Sequence, residues 1–164
     1  MPNFDPETFM QQTIDAPLET EYALVPEGEY RATIDDFTSE AFEQIDFTYK
    51  KGQRAGQPGT MTKFSCPFVI QDDAVKAEMG RDKVVVTKQI NLDFDETGGI
   101  AKGKNRNIEL GRVMSACGLN AQGSSVSQLR GAGPVMVKVV HREGERKDGS
   151  KWKRAEVDAV AAIR

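Results

Sequence analysis

The sequence predicts a mainly β protein of about five strands, with one main helix between the third strand and a closing hairpin, and long loops. Three observations predict it. Apolar and polar residues alternate in several separate stretches, which is the two-residue period of a half-buried strand. A single stretch keeps the helical spacing i, i+3, i+4, i+7. Clusters of glycine, proline and charge separate them. The chain has 164 residues, enough for one domain around a single core.

Residues 1–25 are polar and acidic, hold three of the seven prolines and keep no steady period, so they read as an N-terminal arm preceding a domain over 26–164. "VPEGEYRATIDDF" is a turn followed by alternation, with Tyr30, Ala32 and Ile34 on one face and Arg31, Thr33 and Asp35 on the other. "YKKGQRAGQPG" breaks both periods and reads as a flexible basic loop. "TMTKFSCPFVIQDD" alternates through Phe64, Cys66, Phe68 and Ile70; Pro67, having no N–H for a ladder, predicts an edge or a bulge.

The longest strand expected is "DKVVVTKQINLDFDE", with Val84, Val86, Ile90, Leu92 and Phe94 on one face and Thr87, Gln89, Asn91 and Asp93 on the other. In "NIELGRVMSACGLN", Leu110, Val113, Met114 and Cys117 follow the helical spacing, with Asn107 as N-cap and Gly118 as the stop. "GPVMVKVV" and "RAEVDAVAAI" form the last hairpin. If Val135, Val137 and Val139 face the core, Lys138 faces outward; if Val157, Ala159, Ala161 and Ile163 do, Trp152 and Arg154 face outward as well.

Charge is divided along the chain. Residues 1–49 hold twelve acids and only Arg31, a net −11, whereas everything from Lys50 onward carries +8. A basic body of this kind suits a polyanionic ligand. Its densest cluster is the hairpin tip "HREGERKDGSKWKR", which places Arg142, Arg146, Lys147, Lys151, Lys153 and Arg154 around Trp152, the only tryptophan. An outward indole among cations is suited to stacking on an unpaired base while its neighbours track phosphates; the competing reading is an aromatic cover with solubilising charges. Tyr49 beside Lys50, Lys51 and Arg54 repeats the theme on the basic loop, Lys102, Lys104 and Arg106 form a third cationic group, and Lys63 lies on the second expected strand.

Enzyme chemistry has little support. Gly98, Gly103 and Lys104 match G-x-x-x-x-G-K, but Asn105 stands where Ser or Thr would ligate Mg²⁺, and Asp93, Asp95 and Glu96 would repel a triphosphate. His141 has no nucleophile partner, and Cys66 and Cys117 suit neither a metal site nor a disulfide framework, so they read as buried thiols. No cofactor, catalytic residue or metal site is expected. The first residues lack the pattern of a signal peptide and no apolar run spans a bilayer, so a soluble, cytoplasmic protein without a membrane partner is expected.

The order of these stretches resembles a phage-encoded family of OB-fold single-stranded-DNA-binding proteins that accompany recombination and replication genes. The resemblance rests on "P-x-G-x-Y" at Pro26, Gly28 and Tyr30, on "L-G-x-x-x-x-A-C-G" from Leu110 to Gly118, and on "L-x-G" at Leu129 and Gly131, and it runs from about Val25 to Ile163. It implies a five-stranded OB-like barrel with the helix between strands three and four, a nucleic acid lying across the barrel face, loops acting as clamps, and work in an infected bacterial host. It also implies a recombinase, polymerase or helicase as partner, and leaves RNA binding and homo-oligomers open. Many such proteins end in an acidic tail; here the acidic segment is N-terminal, with docking of a partner or competition for the groove as one expected role and completion of the fold as the other. The rival reading is a phage accessory or structural module that binds protein and no nucleic acid.

Overall fold

A computed structural model describes residues 3–163; the first two residues of the arm and Arg164, the last of the domain, lie outside the described residues. Mainly β structure is borne out. The elements are α1 (Pro6–Gln11), β1 (Gly28–Ile34), β2 (Phe42–Thr48), β3 (Pro58–Ile70), α2 (Asp73–Met79), β4 (Val85–Leu92), α3 (Ile108–Ala116), β5 (Val135–Glu145) and β6 (Lys151–Ala162), with short 3₁₀ turns at Ser39–Ala41 and Val126–Leu129.

The strands form one antiparallel sheet in the order β2-β3-β1-β5-β6, with β4 on the other side of β3. The sheet curls, so its edge strands β4 and β6 approach: Lys88 Nζ of β4 donates to the Asp158 carbonyl of β6 at 2.7 Å. Among the described residues no ladder joins these edges, so the sheet is not closed into a barrel. It has six strands rather than the five expected.

The additional strand is β2, which pairs with the outer half of β3 from Phe42 opposite Phe64 to Thr48 opposite Pro58. Its side chains are mostly exposed because this ribbon reaches past the core, so burial leaves little imprint on its sequence. Pro67 is neither at an edge nor in a bulge. It lies in a central strand, and its carbonyl accepts from Asp35 N at 2.9 Å, so its nitrogen faces the gap where β3 passes from pairing with β2 to pairing with β1.

The core is filled by the inward faces predicted for β1, β3 and β5, with Ala32, Ile34, Phe64, Cys66, Phe68, Ile70, Val135, Val137 and Val139 all buried. Leu110, Val113 and Met114 of α3 close its open end. Two expected faces shift. Leu92 ends β4 and Phe94 lies beyond it, exposed, in an isolated bridge to Ile100. In β6 a bulge at Asp158 moves the pairing from Lys138–Ala159 to Val139–Val157, which reverses the parity: Val157 and Val160 face the core, while Ala159, Ala161 and Ile163 are exposed.

Asn107 takes the N-cap position of α3 but its side chain caps nothing. It accepts from Asp93 N and donates to the carbonyls of Asp93 and Ala101, pinning the loop from β4. α2, not expected above, has the Asp72 side chain on Val75 N and a left-handed Gly80 as its two caps.

Candidate nucleic-acid interface

Strand parity decides which basic side chains share a surface. Opposite the core, the outer face of the sheet carries Arg31 on β1, Lys63 and Ser65 on β3, Gln89 and Asn91 on β4, Lys138 and Arg142 on β5, and Trp152 and Arg154 on β6. Ser65 Oγ donates to Gln89 Oε1 at 3.0 Å, a polar pair on the β3–β4 part of this face beside Lys63 and Asn91. It is not uniformly basic, since Glu43 stands opposite Lys63 and Glu29 opposite Lys138.

The β2–β3 ribbon extends this face. Ile45, Phe47 and Tyr49 alternate onto it beside Gly59 and Met61. Phe47 and Tyr49 meet edge to face at 4.8 Å, and both lean over Gly59, where a Cβ would come within 2.7 Å of each ring. The basic loop is a folded tip rather than an open strap: Tyr49 N donates to Gln57 O at 2.9 Å and Gly56 N to Tyr49 O at 2.7 Å. Arg54 lies over the Tyr49 ring at 5.5 Å and donates to its hydroxyl at 3.3 Å, while Lys50 and Lys51 project into solvent.

At the other end, β5 and β6 run beyond β1 to a tip whose turn is fixed by Asp148. Its carboxyl is held below the usual carboxylate range by hydrogen bonds from the Ser150 hydroxyl and amide. Arg146 is tied back to the Ser150 hydroxyl and the Lys151 carbonyl, and Lys147, Lys151 and Lys153 are exposed. Trp152 is half-buried. Its indole crosses Gly144, the residue opposite, with a 2.5 Å approach to the position a Cβ would take, and the Arg154 guanidinium covers the ring at 4.5 Å. Arg142 and Arg154 both reach Glu156, which is buried. Arg142 Nε is 2.9 Å from Oε2 and its Nη2 2.7 Å from Asp158 Oδ1; Arg154 meets Oε1 as an ion contact outside hydrogen-bond angle.

Two aromatic–arginine pairs, Tyr49 with Arg54 and Trp152 with Arg154, thus stand on hairpins that leave β1 at opposite ends, with Lys63, Arg31 and Lys138 between. No protein-family model, curated protein or solved structure matches the chain. Lys102, Lys104 and Arg106 do not join this face. They are exposed on the loop before α3, and Lys102 and Arg106 line a separate groove beside that helix.

In the G-x-x-x-x-G-K loop, Asp95 Oδ1 accepts from the amides of Thr97 and Gly99 at 2.9 and 2.8 Å, so these two amides face a carboxylate instead of a phosphate. α3 starts four residues after Lys104, at Ile108. His141 binds the Val25 carbonyl through Nε2 at 2.7 Å, and its amide donates to Glu27, fastening the segment before β1. Phe47, Ile45, Met61 and Arg31 are face residues that the sequence reading did not name as site residues; the alternation of Ile45, Phe47 and Tyr49 was the available signal.

Proposed function

We propose that this chain is an open OB-like barrel that binds single-stranded DNA with little sequence preference, as the phage recombination and replication proteins it resembles do, and that it is a binding protein without catalytic residues or cofactor. Setting aside the ribbon strand β2, the pairing β4-β3-β1-β5-β6 with α3 between β4 and β5 follows the OB order, lacking only the closing ladder. In that fold the face of the second and third strands and the two long loops on either side bind oligonucleotides. Here those parts correspond to β3–β4, the β2 ribbon and the β5–β6 tip.

The observation that carries the proposal is the pair of aromatic–arginine platforms on the two hairpins that flank this face. A guanidinium within cation–π reach of an aromatic ring joins a stacking surface to a positive group at one spot. Ser65, Gln89 and Asn91 between them offer both hydrogen-bond donors and acceptors on this face, which suits contact with any base. No patterned set of side chains along it would select a sequence.

The test is fluorescence anisotropy with labelled oligo-dT and a matched duplex. Strand-selective binding should weaken steeply between about 50 and 200 mM salt as counterions are released. Tyr49→Ala and Trp152→Ala should each weaken it about 5- to 100-fold, the range expected of one stacked base. Binding that is absent, indifferent to salt or stronger for duplex would refute the proposal and favour a protein-interaction module.

A further inference from the structure

The groove beside α3 and the N-terminal arm are each unsatisfied alone and complement each other. The groove, open and of about 1000 Å³, runs between α3, the 120–124 loop, Ile100–Lys102 and the end of β6 at Val160–Ala162. Ile100 and Ile108 are 48% and 46% exposed on it, unusual for isoleucines beside a buried Leu110. Lys102, Arg106 and Arg112 line it, and among the described residues no acid does. Glu109, which does not line the groove, pairs with Lys88 and with Arg112, so Lys102 and Arg106 are the lining cations without an ion pair among the described residues.

The arm has the opposite character. Residues 3–24 contain five acids and no lysine or arginine. Phe4, Phe9, Met10, Ile14, Leu18 and Tyr22 are between 61% and 87% exposed, although Pro6–Gln11 is already helical and Asp5 caps that turn through Glu7 N and Thr8 Oγ1. Six large apolar side chains in so short a segment are an exposed surface of the kind that marks a contact with another molecule. Among the described residues the arm is fastened to the domain from Tyr22 onward, where Arg81 lies over the Tyr22 ring at 5.8 Å and His141 holds Val25.

We propose that the arm of one copy docks in the α3–β6 groove of a second copy, its phenylalanine and isoleucine side chains against Ile100, Ile108 and Val160, its carboxylates facing Lys102, Arg106 and Arg112. The occupant is a second copy's arm rather than the chain's own, because in the single chain the arm stands off this groove with its apolar residues in solvent. Arm and groove are different surfaces, so the contact is head to tail and adds copies in a row. It requires no nucleic acid, so its test is separate from oligonucleotide binding.

Sedimentation velocity on the full chain, from about 1 to 200 µM and at about 50 and 500 mM salt, reads the association and its charge dependence. The wild type should move from monomer to larger species with concentration, less so at high salt. Phe9→Glu with Ile14→Glu, which takes two large apolar side chains out of the contact, should weaken association about 100-fold or more, and separately Ile108→Glu, which takes out one, about 10- to 100-fold. Lys102→Glu with Arg106→Glu, both exposed side chains, should do so at low salt. Mixing the arm variant with the groove variant should restore a dimer and stop there, since one intact arm and one intact groove remain. A wild type that stays monomeric throughout, association that survives the arm variant, or a mixture that fails to dimerise would overturn the proposal.

Discussion

Replacing Lys88 tests whether the curl of the sheet depends on one buried ion pair. Lys88 occupies an inward position of β4 between Val86 and Ile90 and is 7% exposed. Its ammonium is satisfied by the Asp158 carbonyl at 2.7 Å and by Glu109 Oε2 at 3.0 Å, so it joins β4, β6 and α3 where the sheet edges meet without a ladder. In Lys88→Met the apolar stem still packs, one carbonyl loses its donor at about 1–3 kcal/mol, and relief of the desolvated ammonium offsets part of that. Glu109 is 43% exposed at its side chain and keeps Arg112 at 2.8 Å, so its loss adds little. The net expectation is about 1–2 kcal/mol of destabilisation. Glu109→Gln keeps an acceptor for the buried ammonium but removes its counter-charge, and should cost about 1–3 kcal/mol, below the usual range for breaking a fully buried pair because Glu109 is partly solvated.

Urea unfolding of both single variants and the double variant closes a cycle in which the two should couple by about 0.5–3 kcal/mol. The sign with pH follows from Glu109. The hydrogen bond from Lys88, then the charges of Lys88 and Arg112, hold its carboxyl below the usual range against the opposing effect of burial. Its contribution is therefore complete above the unfolded carboxyl value of about 4.3 and fades as pH falls through the lower folded one, so the gap between wild type and Lys88→Met should narrow in acid. Additive costs, with coupling inside about 0.3–0.5 kcal/mol, would refute a seam held by this pair.

Two further outcomes follow from local geometry. Gly144→Ala puts a Cβ 2.5 Å from the Trp152 ring, so the indole must leave its cross-strand seat; the sole tryptophan's emission should shift red and stability should fall by about 1–3 kcal/mol, and an unchanged spectrum would contradict the packing. Burial pushes the Cys66 thiol up to about 12 and raises that of half-buried Cys117, so native protein at neutral pH should react slowly with a thiol reagent, Cys66 slower than Cys117, and both at once in denaturant.

How much of this was legible depended on whether burial wrote a period into the chain. β1, β3, β5 and α3 each present one face to the core, and their apolar residues stand where alternation or helical spacing puts them. β2 pairs along its whole length yet buries little, so Phe42, Ile45 and Phe47 read as scattered apolar residues rather than a strand. The hairpin tips were visible as charge, but charge carries no direction. Alternation alone turned Lys138 and Arg154 outward, but that they share a face with Lys63 and Arg142, and that Lys102, Lys104 and Arg106 lie apart beside α3, came from register.

The bulge at Asp158 was invisible for a deeper reason. Its two sides, "KRAEV" and "AVAAI", alternate acceptably in a single register, and only pairing with β5 shows that one residue is extra. That extra residue has two effects at once. It turns the Asp158 carbonyl toward β4, where Lys88 takes it, and it sends the Asp158 carboxylate to Arg142 on the outer face. Without the bulge, Trp152, Arg154 and Glu156 could not share the outer face while Val160 faces the core, because strict alternation would turn one of the two sets over. The irregularity that prevents an unbroken β6 register is therefore also what lets one strand line both the core seam and the cationic tip.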